Sequence, residues 1–79
     1  MVSVSKVELV EGYVLRIFFS DGTTREMDFC PFLKSSTNPM IRKYLDLGLF
    51  QDFTVQNGDL FWNDYDLCFP VADLYENTI

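Results

Sequence analysis

Apolar and polar residues alternate along the first thirty positions. Three stretches, 4–9, 13–19 and 23–29, predict strands rich in Val, Ile, Phe and Tyr. Across Ser20-Asp21-Gly22, a two-residue Asp-Gly turn would set Ile17 against Glu26 and Leu15 against Asp28, an acid opposite each core position. A three-residue loop with Gly22 left-handed instead aligns Phe19–Thr23, Ile17–Arg25, Leu15–Met27 and Tyr13–Phe29. It also sets Arg16 opposite Glu26 on the other face. The second register is chemically consistent. The same logic at Val10-Glu11-Gly12 aligns Leu9–Tyr13 and Val7–Leu15 and turns Val4, Lys6 and Glu8 outward, so the first three strands are expected to form an antiparallel meander.

Residues 30–38 carry turn chemistry (Pro31, Ser35-Ser36-Thr37) and predict a connection. Asn38 then supplies an N-cap and Pro39 a first-turn residue whose missing N–H costs nothing. Ile41, Tyr44 and Leu45 follow at helical spacing, Arg42, Lys43 and Asp46 turn outward, and Gly48 closes a helix of two to three turns. Asn57-Gly58 is the preferred pair for a type I′ hairpin, pairing Val55–Leu60 and Phe53–Trp62 on one face and Thr54–Phe61 on the other. A turn at Asn63-Asp64, an extended piece Asp66–Phe69 and a helical turn around Val71–Tyr75 complete the chain. The expected fold is therefore a single α+β domain over residues 1–79. It is an antiparallel sheet from a three-stranded meander plus a second hairpin, with one short helix packed on one face.

The pleat divides the side chains. Leu15, Ile17, Phe19, Met27, Phe53, Val55 and Trp62 share the face that the helix can cover, while Val4, Val14, Phe18 and Phe61 point the other way. Two outcomes are open for that second face: residues 66–79 fold back over it, or it is an exposed apolar patch used as a dimer or partner interface.

Composition and charge refine this picture. A chain of 79 residues has a marginal core, and eight Phe, four Tyr and Trp62 offset this with much buried area per residue. All six bases lie in residues 1–43 with five acids, a balance of +1. Residues 44–79 hold seven acids and no base, a balance of −7. An anionic half repels phosphate and attracts a basic surface; it also keeps an aromatic-rich segment soluble. Arg42-Lys43 and Lys34 are too few to track a nucleic-acid backbone on a chain of net charge −6.

Within the acidic half, Trp62-Asn63-Asp64-Tyr65-Asp66 combines two aromatics with two acids, a run that suits recognition of a basic, partly apolar surface. It also suits ordinary turn chemistry. The candidate partner-binding residues are Val14, Phe18, Phe61, Trp62, Asp64, Tyr65 and Asp66.

No catalytic or metal-binding residues are expected, and no cofactor. The chain has no His, and Asp64 and Asp66 lack the Gly and Glu that complete a calcium loop. Cys30 and Cys68 stand apart in apolar surroundings and read as reduced, packed thiols. Without an apolar run long enough for a membrane span, or the pattern of a secretory signal at the N-terminus, a cytoplasmic protein is expected.

Taken in order, several short motifs carry a resemblance. They are Leu15-x-Ile17-x-Phe19-x-Asp21-Gly22, Asp28 at a strand end, Leu45-Asp46 followed by Phe50, Trp62, Asp66-Leu67 and Leu74-Tyr75. The set, spread over nearly the whole chain, resembles a small bacterial family, domain of unknown function 2442. Asn63 after the Trp, and Pro70 with Val71-Ala72-Asp73 before Leu74-Tyr75, match its pattern loosely. The resemblance implies a small α+β domain with no assigned enzymatic activity. Some members carry an appended helix-turn-helix, and others are encoded beside small toxin-like proteins and discussed as antitoxins. With Ile79 the last residue, a direct transcriptional role is not expected. The functional expectation is a non-catalytic protein-interaction or regulatory module, antitoxin-like, that binds a basic and toxin-like partner or a second copy of itself. The alternative is a small-ligand sensor with a pocket between helix and sheet near Tyr44 and Trp62.

Overall fold

The computed structural model describes residues 2–79. β1 (Val4–Glu11), β2 (Val14–Phe19) and β3 (Thr24–Asp28) form an antiparallel sheet in the order β1-β2-β3. The β2–β3 register is the one that side-chain chemistry favours: Leu15 faces Met27, Ile17 faces Arg25 and Arg16 faces Glu26. Gly22 adopts φ 89°, and the loop closes through the Phe19 N–H on the Thr23 carbonyl at 2.8 Å.

The β1–β2 register differs from expectation by two residues, with Leu9 opposite Leu15 and Val7 opposite Ile17. A bulge at Val10 absorbs the extra residue, and the turn tightens onto Gly12 and Tyr13. Tertiary contact explains the shift. Tyr13 leaves the pairing with β1 while its carbonyl still accepts the Phe29 N–H at 3.0 Å; it donates its hydroxyl to the Leu45 carbonyl and sets its ring edge-on to Phe50 at 5.4 Å. A second bulge at Ser5 turns Val4 inward, opposite Phe19 and 3% exposed, where strict alternation had placed it outside.

The expected connection at 30–38 contains a helix, α1 (Cys30–Ser35), because Pro31 falls in its first turn and Asp28 Oδ1 accepts the Cys30 N–H at 3.0 Å. Asn38 caps α2 (Pro39–Arg42) as expected, accepting the Met40 N–H at 3.0 Å, and a 3₁₀ turn over Lys43–Leu45 follows. The single helix expected to end at Gly48 is broken at Asp46, which is extended and caps α3 (Leu47–Phe50) by accepting the Leu49 N–H. The break has a packing cause. In one continuous helix Phe50 would lie about 240° round the axis from Tyr44, whereas here both rings are buried.

β4 (Phe53–Gln56) and β5 (Asp59–Trp62) pair as expected around Asn57 (φ 55°) and Gly58 (φ 83°), a type I′ turn. β6 (Leu67–Cys68) adds to β5, so the hairpin builds a second three-stranded antiparallel sheet rather than widening the first. The sheets are joined where the Val4 N–H meets the Gly58 carbonyl at 2.9 Å. A side chain at residue 58 would collide there, because its Cβ would stand 2.8 Å from that of Ser3. α4 (Val71–Glu76) ends in a left-handed Asn77, with the Thr78 N–H returning to the Asp73 carbonyl.

The core lies between the two sheets and the helices, with Trp62 at its centre. The indole is fully buried and donates to the Phe50 carbonyl at 2.7 Å. The rings of Phe29, Tyr44, Phe50, Phe53 and Phe69 surround it with centroids 5.5–6.4 Å away.

Candidate partner-binding site

The β5–β6 turn is built by backbone that few side chains tolerate. Asn63 (φ 53°) and Tyr65 (φ 63°) are both left-handed; Asn accepts this readily, and a Tyr does so only when its surroundings compensate. Here the compensation is a stack: the Tyr65 ring lies on Phe61 at 4.1 Å and 16°, while 53% of the residue stays exposed. Asn63 Nδ2 donates to Asp66 Oδ2 at 2.8 Å, and Lys43 Nζ reaches the same oxygen at 3.2 Å. These contacts, the Asn63 bond first and then Lys43, hold the Asp66 carboxyl below the usual carboxylate range. Asp64 is exposed at the apex.

Of the residues expected to meet a partner, Asp64, Tyr65 and Asp66 come together on this turn. Trp62 does not belong with them: its ring is sealed in the core. Phe61 is 6% exposed beneath Tyr65. Val14 and Phe18 sit half-buried in β2, so the apolar face expected from Val14, Phe18 and Phe61 is divided between two sheets. Lys6 covers part of Phe18, with Nζ 5.4 Å from the ring centroid.

The bases are largely engaged within the molecule. Lys6 pairs with Glu8 and Arg16 with Glu26 and Glu8, while Arg25 donates to the Tyr75 carbonyl and Arg42 to those of Lys34 and Ser36. Among the described residues of the acidic half, Asp66 alone is ion-paired, to Lys43. Asp46, Asp52, Asp59, Asp64, Asp73 and Glu76 form no ion pair among the described residues.

Two depressions border this acidic surface. The larger, about 540 Å³, lies between the Asn57–Asp59 turn, Val2 and Ser3, and the face of α4 formed by Val71, Ala72, Tyr75 and Glu76. The smaller, about 280 Å³, is lined by Asp59, Tyr65, Phe69 and Pro70 among others, so Asp59 stands between the two. No sequence pattern marked the larger groove. The Asn57-Gly58 pair was the nearest signal, and nothing in it indicates that Ser3 packs against it.

The cavity expected between Tyr44 and Trp62 is filled by the rings themselves, leaving a polar depression of about 220 Å³ beside Lys43, Leu49, Asp52 and Asn63. Burial pushes the Tyr44 phenol upward from its ordinary pKa. Asp64 and Asp66 do not converge on a cleft, and among the described residues no group of three or more His, Cys, Asp and Glu could hold a metal ion. Both thiols are free. Cys30 is half-buried, and Cys68, expected to be packed, is exposed on β6. No helix among the described residues is long and apolar enough to cross a membrane.

Comparison with curated proteins and with solved structures gives no match. A family model described as protein of unknown function (DUF2442) matches residues 4–79.

Proposed function

The chain belongs to the DUF2442 family, and we propose that it is a non-catalytic, cytoplasmic protein-interaction module that binds a basic partner protein in the manner of an antitoxin. One observation carries this reading: Tyr65 is held half-exposed in a left-handed conformation between Asp64 and Asp66, on a half-molecule whose other acids form no ion pair among the described residues. A backbone that keeps a bulky ring outward against its own preference is a common mark of functional sites. Tyrosine is a frequent anchor in interfaces, and acids at its rim steer and orient a basic surface.

Tagged full-length protein purified from its native host tests the reading. The expected result is a basic protein that co-elutes at low salt, is released as salt rises, and is lost with Tyr65→Gly. That substitution relieves the left-handed strain at position 65 while deleting the ring, so the turn backbone is kept. An acidic partner, or a partner indifferent to both Tyr65→Gly and Asp64→Asn, would refute it.

A further inference from the structure

We propose that the groove between the Asn57–Asp59 turn and α4 is the docking cleft for an apolar, cation-bearing segment of that partner. The inference rests on the basic-partner reading above and adds where, and through what chemistry, the partner is seated.

The groove follows from packing. Leu74 is fully buried and fastens α4 to the core, which directs positions 71, 72, 75 and 76 to one face of the helix. Opposite, the type I′ turn projects beyond the second sheet. Gly58 lets Ser3 approach too closely for any side chain, so the floor is formed where the two sheets join. Val2, Val71, Ala72 and the Tyr75 ring give the groove its apolar lining.

Tyr75 is a fixed wall. Its hydroxyl donates to Asp21 Oδ2 at 2.6 Å, its ring edge meets Phe19 at 5.1 Å, and Arg25 lies over the ring while donating to its carbonyl. Those contacts tie α4 to the first sheet, so little ordering is left for an incoming segment to impose. A volume of about 540 Å³ accepts one or two large apolar side chains.

Charge selects the occupant. Among the described residues, the charged ones lining the groove are Asp59 and Glu76, both acidic and neither ion-paired there. An apolar segment without cations would bring no partner for them, and an acidic one would be repelled. A segment with Leu- or Phe-like anchors flanked by Lys or Arg satisfies lining and rim together.

Fluorescence anisotropy of the full chain with three labelled peptides of equal length, alternating Leu/Lys, Ser/Lys and Leu/Glu, tests this. The expected order is tightest binding by Leu/Lys, at least about tenfold weaker binding by Ser/Lys, and none by Leu/Glu. Ala72→Arg, which places a long cation on the exposed groove wall, should weaken Leu/Lys at least about tenfold, with the melting temperature little changed. Amide shifts on titration should concentrate at Ser3, Asn57–Asp59 and Val71–Glu76.

Binding of Leu/Lys that ignores Ala72→Arg but falls with Tyr65→Gly overturns the groove and leaves the basic-partner reading standing. Equal binding of Ser/Lys and Leu/Lys also overturns the groove. Absence of any basic-peptide binding overturns both. Self-association abolished by Ala72→Arg would assign the groove to a second copy of the chain and overturn the proposal.

Discussion

Trp62→Phe is a stringent test of how the core is held. The substitution removes the indole donor that satisfies the Phe50 carbonyl at 2.7 Å, and loss of a buried hydrogen-bond partner costs about 1–3 kcal/mol. Exchanging an indole for a phenyl ring leaves about 40 Å³ unfilled, worth about 1 kcal/mol at about 24 cal/mol per Å³. The sum, about 2–4 kcal/mol, is large against the total of about 4–12 kcal/mol usual for a domain of this length. For so small a domain it corresponds to a melting temperature lowered by about 10–30 °C. Urea unfolding followed by far-ultraviolet circular dichroism measures it, since the substitution deletes the chain's single tryptophan. In the parent protein, that tryptophan should emit at the short wavelengths of a dry site and shift red on unfolding. A Trp62→Phe variant within about 0.5 kcal/mol of the parent, the range of an ordinary surface change, would refute the placement of Trp62 at the core's centre.

Other consequences are equally accessible. Gly22 and Gly58 both have positive φ, yet a Cβ at 22 meets nothing while one at 58 strikes Ser3 at 2.8 Å. Gly22→Ala should therefore show only the backbone penalty of about 1–2 kcal/mol, and Gly58→Ala clearly more in a thermal melt. Asp46→Ala, which deletes the cap of α3, should lower stability by about 1 kcal/mol in the same assay. The hydrogen bond from Tyr75, then those from Thr23, hold the Asp21 carboxyl below its ordinary pKa. Its contribution to stability is thus present above the unfolded pKa and lost as pH falls through the lower folded value. Tyr75→Phe should move the Asp21 titration, followed by carboxyl NMR, back toward the ordinary value and flatten the acid limb of the stability profile.

Legibility in the sequence followed the range of the deciding interaction. The β2–β3 and β4–β5 registers could be read because Gly22 and Asn57-Gly58 settle them within a few residues. The β1–β2 register could not, because a hydroxyl and a ring edge on Tyr13, reaching Leu45 and Phe50, outweigh the local pairing. Asp46 read as an outward helix residue, and its capping role emerges only once Phe50 is required in the core. For the candidate site, the acids and Tyr65 were visible in the composition of the turn. Trp62 satisfied two patterns at once, an aromatic beside acids and a core position opposite Phe53, and burial decided between them. The groove unites residues 2–3, 57–59 and 71–76, and no local pattern announces so distant a meeting.

The contact between Val4 and Gly58 that joins the two sheets has a kinetic consequence. Closing a loop of roughly fifty residues costs about 2 kcal/mol more in chain entropy than closing a tight hairpin, so each sheet should form before the seam between them. Interactions made after the rate-limiting step leave the folding rate nearly untouched and act on unfolding. Substitutions at Ser3, which meets Gly58 only at the seam, should therefore displace the unfolding limb of a chevron plot and leave the refolding limb in place. The lifetime of the native state, rather than the ease of reaching it, would be set where the strands of one sheet touch the turn of the other.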